Sequence, residues 1–198
     1  MLKYLDKPRV PDGLVEEMKE SVVLYKKERK LSEGDVVSSG LSNPVLPETP
    51  LGYKFSEAPK GGEWCSTFSY IPISDRVSDW VRENLTPIPT CSFLILMSGG
   101  SAVWPHIDDF RSSAWNYVIS PSNASLCYYE AKKEYEHLTE FKGMYVPIER
   151  VNKVEEMEIE KDKWYEFQST RIHGVENIKG ERLVLSVSFG MPDEFLSR

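Results

Sequence analysis

Four residues in the second half of this chain have types and spacings suited to metal chemistry: His106, Asp108, His173 and Arg182. His106 and Asp108 stand two apart in Trp104-Pro105-His106-Ile107-Asp108. In an extended strand alternate side chains share a face, so these two point the same way. His173 opens His173-Gly174-Val175-Glu176-Asn177, and the whole chain has only three histidines, so two of the three fall in this pattern. Two imidazoles and one carboxylate hold one face of a six-coordinate ion and leave the opposite positions to small ligands. Arg182 adds a planar cation that pairs with a carboxylate through two hydrogen bonds.

The spacing of the second half of the motif predicts a geometry. Ile172 to Asn177 and Arg182 to Gly190 are read as two strands of a hairpin that turns at Ile178-Lys179-Gly180-Glu181. With Asn177 opposite Arg182, Val175 faces Val184 and His173 faces Ser186, so His173, Asn177, Arg182 and Ser186 share one face. Arg182 then lies roughly 13 Å along the strands from the row of His173, much of which its side chain can span. A small dicarboxylate chelating the ion at one end would meet Arg182, with Ser186 beside it, at the other. A divalent ion, Arg182, Asp108 and a dicarboxylate sum to zero charge, as a partly buried site prefers.

In ligand set, in strand context and in an arginine nine residues after His173, the chain resembles the Fe(II)/2-oxoglutarate-dependent dioxygenases. The resemblance spans about residues 91–190. It implies a mainly β fold, a double-stranded β-helix (jelly roll, cupin-like), with helices from the N-terminal region packed outside. It implies Fe(II), 2-oxoglutarate and O2, release of succinate and CO2, and hydroxylation of a protein, peptide or small-molecule substrate. His106, Asp108 and His173 would be the metal ligands, and Arg182 with Ser186 the anchor for the distal carboxylate. His173-Gly-Val-Glu-Asn177 followed by Arg182-Leu-Val-Leu-Ser186 is similar to the final motif of aspartyl/asparaginyl β-hydroxylases, which can lack the carboxylate that Asp108 offers. A prolyl-hydroxylase-like member would also carry the His-x-Asp, His and Arg.

Further candidates surround this set. Asn116 lies ten residues after His106 on the next strand, where an amide among apolar residues needs a partner in the cosubstrate or a neighbouring backbone. Tyr128 offers a hydroxyl to the cosubstrate carboxylate, with Tyr129 in its place if the strand parity is reversed. Arg111 sits in the loop 109–113, either as a surface arginine or as a contact for an acidic substrate at the barrel mouth. Asn177 is read as fixing the hairpin near Arg182. His137, in a charged stretch, is assigned nothing. Two other readings share these residues. One is a cupin-like metalloenzyme without 2-oxoglutarate, in which Arg182 has no task. The other is a non-catalytic β-sandwich binding module with structural histidines.

The elements that must position these residues follow from pattern. The 198 residues are read as one domain, helix and loop with one strand over 1–90 and the β core over 91–190. Leu14, Met18, Val22 and Tyr25 form a helical stripe within 12–30, with Asp12 as its N-cap. Prolines and glycines make 40–62 a loop, a candidate cover for the site. A strand is expected over 64–73, followed by a short helix capped by Ser74 and carrying Val77, Trp80, Val81 and Leu85, with Trp80 packed on the sheet. Strands then recur at 91–98, 102–108, 114–120, 125–131, 143–147, 155–159, 164–169, 171–177 and 182–189. Such a rhythm argues for a sandwich or jelly roll and against a nucleotide-binding α/β fold.

Composition narrows the partners. A net charge of −7 repels phosphate backbones, so nucleic acid is a poor partner and a protein, peptide or small molecule a better one. No apolar run nears the roughly 20 residues that cross a bilayer, and the N-terminus has no signal-peptide core, so no membrane role is expected. Three cysteines without a Cys-x-x-Cys are read as free thiols in a reducing cytoplasm, which also suits Fe(II).

Overall fold

The structure is a computed structural model that describes residues 3–28, 67–86, 89, 91–98, 100–108, 111–120, 124–140 and 146–189. The expected loop 40–62, Phe110 and the turn at 121–123 lie outside the described residues. Ten strands and two α-helices occur among those described: β1 Lys3–Leu5, α1 Asp12–Glu28, β2 Thr67–Pro72, α2 Asp75–Asn84, β3 Cys91–Ser98, β4 Val103–His106, β5 Ser113–Val118, β6 Ser125–Ala131, β7 Val151–Glu158, β8 Trp164–Gln168, β9 His173–Glu176 and β10 Arg182–Phe189. Short 3-10 helices cover Lys133–Glu140, which includes the unassigned His137, and Ile148–Arg150.

The strands form two antiparallel sheets. One is ordered β1-β8-β5-β10-β3-β2, the other β4-β9-β6-β7. Their facing surfaces share one apolar cluster, with Ile95, Met97 and Val184 from the larger sheet against Leu126, Tyr128 and Val175 from the smaller. The fold is therefore a mainly β sandwich with two helices. The helices cover the other face of the larger sheet, where Leu94, Leu96, Leu183, Leu185 and Val187 meet Leu14, Met18 and Val22 of α1 and Val77 and Val81 of α2.

Local chemistry explains the helix boundaries. Ser74 accepts a hydrogen bond from the Val77 N–H and caps α2 as expected, and Trp80 packs against the helix-side core. In α1 the expected stripe is buried at Leu14, Met18 and Val22, but Asp12 is not the cap. The Pro11 carbonyl accepts from Leu14 and Val15, so Asp12 begins the helix and pairs with Arg9. Its charge still complements the positive helix end.

The expected hairpin between the last two strands does not form. β9 pairs with β4 and β6 in the smaller sheet, and β10 with β3 and β5 in the larger. All four edges are thereby taken. The connecting residues arch from one sheet to the other, with Asn177 and Gly180 at φ values of 61° and 72°. Ile178 plugs the inter-sheet core and donates its N–H to the Ser101 carbonyl at 2.8 Å. An apolar first residue buried in the expected turn is the sign that it spans sheets rather than joining neighbours. His173 and Ser186 thus stand on different sheets, not side by side in one ladder. Near the arch Asn177 bonds Ser125 and Glu156 rather than Arg182.

Two other boundaries differ. Val146 and Pro147, the described end of the expected 143–147 strand, are not in a strand. β7 begins at Val151, four residues before its expected start.

Candidate metal centre

His106 ends β4 and pairs directly with His173 at the start of β9. Between Val103 and His106 the register slips: three steps on β4 match two on β9. This bulge absorbs Pro105, which has no N–H to give a ladder. It also sets Val103 opposite Val175 and His106 opposite His173, at a register that simple alternation along β4 does not predict. Gly174 makes the close crossing feasible, since a Cβ there would lie 2.8 Å from the Val103 carbonyl oxygen. Sequence reasoning passed over this glycine, although its place directly after a ligand-type histidine was a signal. Asp108 lies beyond the end of β4, so its position comes from a loop rather than from strand alternation. Its N–H donates to the Ser169 carbonyl at 3.0 Å.

The three side chains converge. His106 Nε2 is 3.6 Å from Asp108 Oδ1, His173 Nε2 is 3.8 Å from Asp108 Oδ2, and the three ligand-type atoms all lie within 4.8 Å of one another. The imidazole rings are 4.3 Å apart, centre to centre. An octahedral face with bonds of roughly 2.1 Å has edges of about 3 Å, so a small contraction would seat an ion.

The ring orientations decide which nitrogen faces the group. His106 Nδ1 bonds the Trp104 carbonyl at 2.7 Å, and His173 Nδ1 bonds the Arg171 carbonyl at 2.9 Å. A carbonyl oxygen only accepts, so each Nδ1 carries the proton and each Nε2 presents a lone pair toward Asp108. Such backbone anchoring is what orients metal-binding imidazoles. Burial pushes the His173 imidazolium pKa down to about 3, so the ring stays neutral. Burial alone would raise the Asp108 pKa, and the Arg111 guanidinium beside it is the first cause that outweighs this and holds the carboxyl below its usual range. A buried carboxylate faced by two imidazole Nε2 atoms is a donor set that fits a divalent first-row ion.

Arg182 is 1% exposed, and among the described residues it has no carboxylate partner. Its Nη2 donates to the Tyr165 hydroxyl at 2.9 Å and its Nη1 to Met97 Sδ at 3.4 Å, while Nε has no partner. Asn116 Nδ2 donates to the same hydroxyl at 3.1 Å, and its Oδ1 has no partner. Whichever way the amide is turned, this cluster holds more N–H and O–H groups than acceptors. A buried, unneutralised guanidinium with surplus donors lacks an anion with several lone pairs, as a carboxylate has. Asn116 and Arg182 were expected here. Tyr165 was not, because only the β5–β8 pairing of Asn116 with Tyr165 brings it in.

The other expected residues stand elsewhere. Ser186 is fully buried and receives a hydrogen bond from Arg111, not Arg182. Tyr128 lies beside His173 in the ladder, accepts from the Gln168 N–H at 2.8 Å and carries the Arg171 guanidinium over its ring. Among the described residues it makes no hydrogen bond to Arg182 or Asn116. Arg111, expected at the surface or the mouth, is 3% exposed and donates from Nε to Asp108 Oδ2 at 2.6 Å. The Arg111 side chain turns inward because Phe93 and Phe167 flank the guanidinium and Ser169 Oγ donates to the Arg111 carbonyl at 2.8 Å. Its charge must join the sum drawn from sequence: with a divalent ion the site carries three positive charges net, and a dicarboxylate lowers this to one. Cys127 is buried and free, and burial pushes its thiol up to about 12, which removes it as a nucleophile.

No family model and no curated protein matches the chain. Among solved structures, it is similar to a prolyl hydroxylase from Trichoplax adhaerens in complex with a peptide fragment of the hypoxia inducible factor oxygen degradation domain. The identity is 15%, the TM-score 0.48, and the match covers 100% of this chain and 87% of that one. It is also similar to ycfD of E. coli at 11% identity and a TM-score of 0.34, over 54% of this chain and 27% of that one. No described helix is long and apolar enough to cross a membrane.

Proposed function

We propose that this chain is an Fe(II)- and 2-oxoglutarate-dependent oxygenase that hydroxylates a protein, peptide or small-molecule substrate. The observation that carries this reading is the convergence of His106 Nε2, His173 Nε2 and the Asp108 carboxylate, with both Nδ1 atoms spent on backbone carbonyls. The sheets support a double-stranded β-helix as the scaffold, since from β3 to β6 and from β7 to β10 successive strands change sheet. Residues 91–190 would form this catalytic core, and a reducing cytoplasm would keep the iron ferrous.

Iron held by His106, Asp108 and His173 would supply the oxidising chemistry with O2 and 2-oxoglutarate. The protein's own part is charge, orientation and dryness. Arg182, with Tyr165 and Asn116, would take the distal carboxylate of 2-oxoglutarate, satisfying the orphaned Nε and neutralising a buried cation. The apolar walls, Val184, Val118 and Phe167 among them, would exclude water from the cosubstrate. The Nδ1 bonds of both histidines hold the rings still while substrates exchange.

Succinate release that depends on both added Fe(II) and added 2-oxoglutarate tests the activity. Binding of 2-oxoglutarate to the Mn(II)-loaded protein, measured without O2, tests the assignment independently of the unknown substrate. Metal uptake without any 2-oxoglutarate binding would move the chain to a metalloenzyme that leaves Arg182 without a task. Absence of metal uptake under reducing conditions would leave the structural-histidine module.

A further inference from the structure

Arg111 is where the structure departs furthest from expectation. Its Nε meets Asp108 Oδ2 at 2.6 Å, and its Nη1 reaches Ser186 Oγ at 2.8 Å and Ser188 Oγ at 3.4 Å on β10. The guanidinium lies 5.7 Å from the centre of Phe93 and 5.5 Å from that of Phe167. Both ends of the loop are pinned through the backbone. Asp108 N–H donates to Ser169, Ser169 Oγ donates to the Arg111 carbonyl, and Ser112 N–H donates to Phe189. Arginine and carboxylate therefore start from fixed points and meet in a fixed geometry.

Stability is a weak reason for such a pair. A buried ion pair is often matched or bettered by an apolar replacement of similar volume, and the space between two phenylalanines would suit one. What the pair does is commit one oxygen of Asp108. A free carboxylate can grip a cation through one oxygen or through both. Oδ1 lies 3.6 Å from His106 Nε2 and Oδ2 3.8 Å from His173 Nε2. With one lone pair of Oδ2 spent on the Arg111 Nε–H, Oδ1 is the better donor to an ion and a grip by both oxygens is disfavoured. The difference matters to the reaction proposed above, on which this inference rests. Two imidazoles and one oxygen leave three of six octahedral positions open, enough for a two-point cosubstrate and O2. Two imidazoles and both oxygens leave two, which the cosubstrate alone would fill.

We infer that Arg111 is a positioning residue that restricts Asp108 to one-oxygen ligation and so keeps the third position on the ion open. The link through Ser186 sets the depth of the guanidinium from the opposite sheet.

Water-proton relaxation by bound Mn(II), without cosubstrate, counts exchangeable waters on the ion and needs no turnover. Wild-type protein should show about three waters per Mn(II), as three open octahedral positions require. Arg111→Met should lose roughly one third of the relaxation per bound ion as the released oxygen takes a position. Arg111→Lys keeps a cationic donor and should hold most of the wild-type value. A general loosening of the site would instead lower Mn(II) affinity without lowering the water count. An unchanged count in Arg111→Met overturns the inference while leaving the iron site standing. A count of two in the wild-type protein overturns it without any variant, should Arg111→Met fail to fold. Failure of the wild-type protein to bind Mn(II) overturns the iron reading itself, and the inference with it.

Discussion

The two faces of β10 show how differently one strand can be used. Leu183, Leu185 and Val187 point toward α1 and α2 and join a core that is mainly apolar and, among the described residues, buries no charge, with the Ser69 hydroxyl as a buried polar group. Arg182, Ser186 and Ser188 point between the sheets, equally buried, into a space that also holds Asp108, Arg111, Asn116 and His173. Burying polar and charged groups disfavours folding unless each is paired, and among the described residues Arg182 Nε and Asn116 Oδ1 have no partner there. The helix-side face therefore supplies the stability that offsets burying these charges.

The sharpest break in that contrast is expected at His173. Replacing it with alanine should lower Co(II) affinity more than about 100-fold, beyond the range seen when only a ligand's neighbour is changed. Titration of the metal-free variant reads this directly, and near-wild-type affinity would sink the assignment of His173 as a ligand. On the other face, Leu185→Ala should lose about 2–5 kcal/mol of unfolding free energy, because Leu185 is wholly buried in the helix-side core. Urea denaturation would measure it, with metal affinity in the surviving folded protein expected to hold.

Arg182→Met should separate the faces by sign. Removing a buried cation without a carboxylate partner should leave the ligand-free protein as stable as wild type or more so, by about 1 kcal/mol. The same change should abolish the stabilisation that 2-oxoglutarate confers on the Mn(II)-loaded protein. A variant that is less stable yet still binds 2-oxoglutarate would refute the anchor. A smaller effect is expected from Gly174→Ala: the added methyl meets the Val103 backbone and must displace β4, so Co(II) affinity should drop by about tenfold.

A further effect is expected in the pH slope of the metal-free protein. Folded His173 resists protonation down to about 3, whereas the unfolded ring takes a proton near 6.5. Between those values the unfolded chain binds more protons, so this stabilisation is complete above pH 6.5 and shrinks as pH falls toward 3. The depressed Asp108 acts in the same direction at lower pH. Unfolding midpoints in chelator at pH 7.5 and 5 should differ less in His173→Gln than in wild type.

Much of this was legible from residue types alone. Two histidines, one aspartate and one arginine at their spacings identify a donor set, because ligand chemistry depends on side-chain identity. The helix stripe of Leu14, Met18 and Val22 and the Ser74 cap were equally readable, since both are local patterns. Tertiary structure alone decided the rest. Strand alternation says which side chains share a face, but not which strand lies alongside, so the His173–Ser186 ladder was drawn where an arch stands. For the same reason Tyr165 joined Arg182 and Asn116 only through β5–β8 pairing. Arg111 turned inward because two aromatic rings and two serines distant in sequence offered it a place. Donor identity is written one residue at a time, whereas partners across a sandwich depend on how separate strands come to lie together.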